Sequence, residues 1–134
     1  MRRYMTWMWL MMISLGVDAK IIAHEQVETE ALTVSDLRLI FSRQRLFWPD
    51  GTPIRVFVLP PDSELHKRFC TDALEVLPYV LQRNWDRLVY SGTADRPEIV
   101  STLAEMRVKV EQTQGAIGYL PDEITAQDDA HEKQ

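Results

Sequence analysis

The side chains best placed for chemistry gather at one corner, Pro60-Pro61-Asp62-Ser63-Glu64-Leu65, where an apolar run gives way to a helix-forming one. Asp62 or Ser63 suits the capping position of the helix that follows. The first N–H groups of a helix have no intrahelical acceptor, and with the helix dipole they form a seat for an anion. The candidate ligand-binding set is therefore Asp62, Ser63, Glu64 and Leu65, with the amides of 63–65 as donors and the Ser63 hydroxyl beside them. Ordinary capping without a ligand uses the same residues.

Other chemistries find little footing. The sequence has no Gly-x-Ser-x-Gly, no phosphate-loop motif and no His-Glu-x-x-His. Ser63 has no identifiable base, so it reads as a cap and not as a nucleophile. His66 shares the first helical turn with Asp62 and reads as a surface histidine beside a solvated cap. His24, His66 and His131 are too scattered for a metal cage. No catalytic residue, metal or cofactor is expected, and therefore no enzyme. Arg38, Arg43, Arg45, Lys67 and Arg68 read as solvated helix faces. A net charge of −5 argues against nucleic acid, whose binding rests on neutralising phosphates. Cys70 is the single cysteine, so no intramolecular disulfide forms, and its place in an apolar stripe predicts burial.

The elements that must position this corner are legible in outline. Lys20 to His24 suits an N-terminal strand. Thr33 and Asp36 stand at capping-box spacing before a helix with Val34, Leu37, Leu39, Ile40 and Phe41 on one buried face. Trp48-Pro49-Asp50-Gly51 fits a type I turn. Ile54 to Leu59 reads as a strand covered on both faces. The helix after the corner carries a stripe of Leu65, Phe69, Ala73 and Leu77, and Pro78 opens another with Leu81, Trp85, Leu88 and Val89 inward. Ser91-Gly92 ends that helix. Thr102 and Glu105 start a fourth, with Leu103, Met106 and Val110 inward, and Ala116 to Leu120 forms a last strand after Gly115. Strands interleaved with helices give an α/β fold with a mostly parallel sheet flanked by helices.

The N-terminus has the form of an export signal. Arg2 and Arg3 precede the uncharged run Trp7 to Val17, and Val17-Asp18-Ala19 offers small residues before Lys20. The run is well short of the ~20 residues of a membrane-spanning helix. The expected organisation is a signal peptide at 1–19, an α/β domain at 20–121 and an acidic, disordered tail at 122–134. An uncleaved N-terminal anchor is the alternative, raised by Asp18 at the cleavage site.

Four segments, LTVSDLRLIFSRQRLFWPDGTPI, DSELHKRFC, NWDRLVYSG and QTQGAIGYLP, run in order from Leu32 to Pro121. In them the chain resembles the substrate-binding proteins of phosphate ABC transporters, within the type II periplasmic-binding-protein superfamily. The resemblance implies a periplasmic, non-enzymatic receptor of two α/β lobes holding an oxyanion such as inorganic phosphate. This chain has room for a single lobe. The family's anion corner reads Arg-x-Asp-x-Ser-Gly-Thr; aligned on Ser63, Leu59 stands for the Arg, Pro61 for the Asp and Glu64-Leu65 for Gly-Thr. Losing the Arg removes a charge-assisted bond worth ~1.5–3 kcal/mol. Arg55 replaces it only if its side chain reaches the corner. The competing expectation is an interaction module that docks on an inner-membrane transporter or sensor, and a homodimer would join two such lobes.

Overall fold

The computed structural model describes residues 19–121, so the signal segment as far as Asp18 and the acidic tail from Asp122 lie outside the described residues. Strand β1 (Ala19–Ala23) precedes helix α1 (Val34–Phe41), and β2 (Arg55–Val58) leads into α2 (Glu64–Arg68). A π-helical segment (Phe69–Leu74) continues α2 without a break. Then come α3 (Pro78–Tyr90), β3 (Glu98–Ile99), α4 (Leu103–Gln112) and β4 (Ala116–Pro121). They form a mixed α/β fold with one sheet of order β1-β4-β2-β3. β2 runs parallel to both β4 and β3, while β1 is antiparallel to β4, with Ala19 opposite Pro121.

Local hydrogen bonds start the helices where the residue types require. The Thr33 hydroxyl accepts the Asp36 N–H at 3.1 Å, and the Asp36 carboxylate accepts the Thr33 N–H at 2.9 Å, closing a capping box. Ser63 caps α2, Thr102 caps α4, and Pro78 opens α3 without a side-chain cap. The turn at Trp48 to Gly51 is closed by the Gly51 N–H donating to the Trp48 carbonyl at 2.8 Å. The Trp48 indole N–H reaches the Gly115 carbonyl at 3.0 Å and joins this turn to the start of β4.

The core lies between the sheet and its helices. Phe69 stacks on Tyr119 with ring centroids 4.0 Å apart, and Phe41 meets Phe69 edge-on at 4.8 Å. The Trp85 indole N–H donates to the Phe41 carbonyl at 2.8 Å, tying α3 to α1. Cys70 is buried as expected, and burial pushes its thiol up to about 12, so it is inert as a nucleophile.

The structure departs from the sequence expectations at several places. The stripe after the corner does not continue to Leu77. A π turn closes i to i+5, so Phe69, Cys70 and Leu74 point inward, while Leu77 is exposed and becomes the N-cap of α3. Val89 on α3, and Val34 and Leu39 on α1, are exposed where the apolar stripes place them inward. Arg43 is not a solvated helix residue. It leaves α1 with φ 67°, and its guanidinium donates to the carbonyls of Asp95 and Ile54. Strand β3, too short to show a periodicity, was not anticipated.

Candidate functional site

The carboxyl ends of β2 and β4 face the same way and open into a cleft of about 390 Å³. Leu59, Asp62, Ser63 and Leu65 line one side; Thr102 and Pro121 lie on the other. Ligands of open parallel sheets bind in this position, beyond the carboxyl ends of the strands. The corner is a tight turn, with the Ser63 N–H donating to the Pro60 carbonyl at 2.9 Å. The Ser63 hydroxyl accepts the His66 N–H at 3.2 Å, and the Thr102 hydroxyl accepts the Glu105 N–H at 3.0 Å. Each cap thus satisfies the third amide of its helix. The first two, Glu64 and Leu65 in α2 and Leu103 and Ala104 in α4, have no acceptor within their helices.

The predicted residues separate here. Asp62, Ser63 and Leu65 meet at the cleft, whereas Glu64 lies outside its lining with its exposed carboxylate 3.7 Å from the Lys67 ammonium. Arg55 does not reach the corner. It sits at the amino end of β2, paired with Glu98 at 3.2 Å and over the Phe57 ring. It lines a different cavity, of about 240 Å³, with Arg43, Arg96, Asp95 and Glu98. Among the described residues that line the cleft there is no cationic side chain.

The largest correction concerns His66, expected on the surface and found 1% exposed. Its Nδ1 lies 2.6 Å from the Tyr119 hydroxyl, and its Nε2 lies 3.5 Å from Cys70 Sγ. Burial holds the imidazole below the ordinary histidine range. The Tyr119 hydroxyl also accepts the Leu59 N–H at 2.9 Å, and burial, the main cause, raises its pKa well above the usual phenol range, so it stays protonated. Sequence reading missed Thr102 and Tyr119 as parts of the site. One signal was present for His66: it stands four residues before Cys70 and three before Phe69, on the apolar stripe.

Among the described residues, no group of three or more His, Cys, Asp or Glu side chains is placed to hold a metal ion, and no helix is long and apolar enough to cross a membrane.

Two of the solved structures that match share the fold. One, from Clostridium perfringens, is described as a phosphate ABC transporter substrate-binding protein with bound phosphate. It aligns over 78% of this chain and 40% of its own, at 17% identity and a TM-score of 0.53. The other, a possible phosphate binding protein from Planctomyces limnophilus, aligns over 85% of this chain and 39% of its own, at 17% identity and a TM-score of 0.55. What is shared is the fold. The chain spans about two-fifths of the length of each. No protein-family profile matches the sequence, and no curated protein matches it.

Proposed function

We propose that this chain is a non-enzymatic binding lobe that takes a small oxyanion, inorganic phosphate or a chemical equivalent, in the cleft between α2 and α4. The observation that carries the reading is the convergence of two hydroxyl-capped helix amino termini, at Ser63 and Thr102, on one cleft at the carboxyl ends of parallel strands. The fold it shares with phosphate-binding proteins agrees with this. Binding is weak, because no guanidinium lines the cleft and Asp62 adds a negative charge at its edge. The protein works outside the inner membrane, exported by its first 19 residues, and serves a transporter or sensor there. Intact-mass analysis of the exported protein is expected to show a chain beginning at Lys20; a retained Met1 in the membrane fraction would mean a tethered lobe.

Thermal unfolding in rising phosphate or sulfate, against chloride at matched ionic strength, tests the binding. An anion at ~100 times its Kd adds roughly 2.7 kcal/mol, several degrees in Tm for a domain of this size. No shift beyond the chloride control at tens of millimolar would end the oxyanion reading.

A second reading has its own observation. The outer face of α3 presents Tyr79, Arg83, Arg87 and Tyr90, with Tyr90 95% exposed. Arg83 lies over the Tyr79 ring and Arg87 donates to Asn84, but neither has a carboxylate partner among the described residues. Tyrosine and arginine are enriched at the hot spots of protein interfaces, and arginines without a carboxylate partner in an otherwise acidic chain fit an acidic surface on a partner protein. In this reading the lobe docks on a transporter or sensor. Salt-sensitive binding to such a partner, lost on Arg83→Glu with Arg87→Glu, is the expected result.

A further inference from the structure

Tyr119 lies beneath the corner, and its single oxygen touches both of the corner's ends. It accepts the N–H of Leu59, the last residue before the turn, and lies 2.6 Å from Nδ1 of His66, in the first turn of the helix after it. The proton positions follow from the donor count. The Leu59 amide only donates, so the tyrosine oxygen accepts there. Its own proton has one hydrogen-bond partner among the described residues, His66 Nδ1, and the arrangement that leaves no buried proton without an acceptor has the hydroxyl donating to it. Nδ1 is then an acceptor, and the ring proton sits on Nε2, facing Cys70 Sγ. Tyr119, Cys70 and His66 are each 0–1% exposed, so water does not stand in for a lost partner.

A second proton on the imidazole breaks this arrangement. Both ring nitrogens then donate, and the Tyr119 oxygen, already accepting from Leu59, has to take the Nδ1 proton as well and turn its own proton away into a buried site with no other acceptor among the described residues. The titratable groups facing the ring are Tyr119 from β4 and Cys70 from its own helix. The chain leaving β2 presents only the Leu59 amide to the shared oxygen, and α3 presents the neutral Trp85 ring to the imidazole, with centroids 6.4 Å apart. Among the described residues no carboxylate faces the imidazole to hold a cation there.

We propose that Tyr119 and His66 form a proton-gated clasp across the corner: with His66 neutral the clasp positions residues 59–66, and protonation of His66 opens it. The consequence for anion binding rests on the corner being the anion site; the clasp itself does not. Tyr119 and His66 are positioning residues, acting through the backbone of the corner.

NMR of the full chain tests the clasp directly. The ring nitrogen shifts of His66 are expected to report the Nε2–H tautomer at about pH 7.5, with protonation only below the ordinary histidine value of about 6.5. Amide protection at Leu59 and at Lys67 to Phe69, corrected for intrinsic exchange, is expected to fall about tenfold or more with the same midpoint, while the β1–β4 ladder holds. Tyr119→Phe keeps the ring stacked on Phe69 and removes the oxygen. It is expected to lose Leu59 protection already at about pH 7.5 and to flatten the corner's pH profile. An Nδ1–H tautomer, or corner protection that holds while His66 titrates, would overturn the proposal. Both come from the wild-type chain, so they stand even if Tyr119→Phe does not fold. Phosphate titrations at about pH 7.5 and 5.5 separate the two readings. A working clasp with no phosphate response at either pH removes the oxyanion function and leaves the clasp.

Discussion

At the scale of single residues, the run Gly115-Ala116-Ile117-Gly118-Tyr119 carries three separate physical requirements. Gly115 holds φ +79°, and a Cβ there would lie 2.3 Å from the Pro53 carbonyl oxygen, so neither the torsion nor the space admits a side chain. Gly118 is where α4 rests on the sheet: a Cβ would stand 2.6 Å from Met106 Sδ and 3.1 Å from Val110 Cγ2. Gly118→Ala is expected to cost about 1–3 kcal/mol through overpacking, read as a lower urea midpoint with an unchanged slope. Tyr119 supplies the buried hydroxyl beneath the corner. Ser63→Ala removes the acceptor of the His66 amide and is expected to cost about 1 kcal/mol. If the corner holds an anion, the same variant also loses most of the phosphate-induced rise in Tm. A stability loss with the phosphate response intact would make Ser63 a cap and nothing more.

At the scale of elements, the helix starts were legible and the end of the helix after the corner was not. Thr33, Ser63 and Thr102 cap through bonds spanning three residues, so the local sequence fixes them. The π segment answers to packing instead: Phe69 stacks on Tyr119 and Leu74 is buried, which five-residue spacing permits and an α-helical stripe does not. The segment stops at Glu75, a non-glycine residue with φ 59°. Its ion pair with Arg38, at 3.6 Å and largely exposed, contributes little. Glu75→Gly is therefore expected to stabilise the fold by about 0.5–1 kcal/mol, the relieved left-handed strain outweighing the extra freedom of glycine in the unfolded chain. Equal or lower stability in chemical denaturation would mean that the Arg38 contact holds the turn.

At the scale of the whole molecule, the buried imidazole makes stability depend on pH near neutrality. Burial lowers the folded-state pKa of His66 below the unfolded value of about 6.5. Above that value both states are neutral and the full stability is present. As pH falls through it, the unfolded chain takes up a proton that the folded chain resists, and stability drops by at most about 1.4 kcal/mol per pH unit for one site. Urea midpoints are expected to decline from about pH 7 to 5, well above the carboxylate range. His66→Gln is expected to lower the plateau and flatten this decline; an unchanged slope in the variant would place the proton elsewhere.

Apart from β3 and the π segment, the order of strands and helices was legible along the chain, as were the helix caps, the turn at Trp48 to Gly51, the burial of Cys70 and the corner after β2. Each rests on hydrogen bonds or an apolar period that reach only a few residues along the chain. Packing across the sheet, and not any local pattern, puts Thr102 on one cleft with Ser63, turns Arg55 away to Glu98 and buries His66. The Tyr119 and His66 side chains are 53 residues apart in sequence and the Arg55 and Glu98 side chains 43. No local preference encodes such a pairing, and it exists because the sheet brings β4 beside β2 and β2 beside β3.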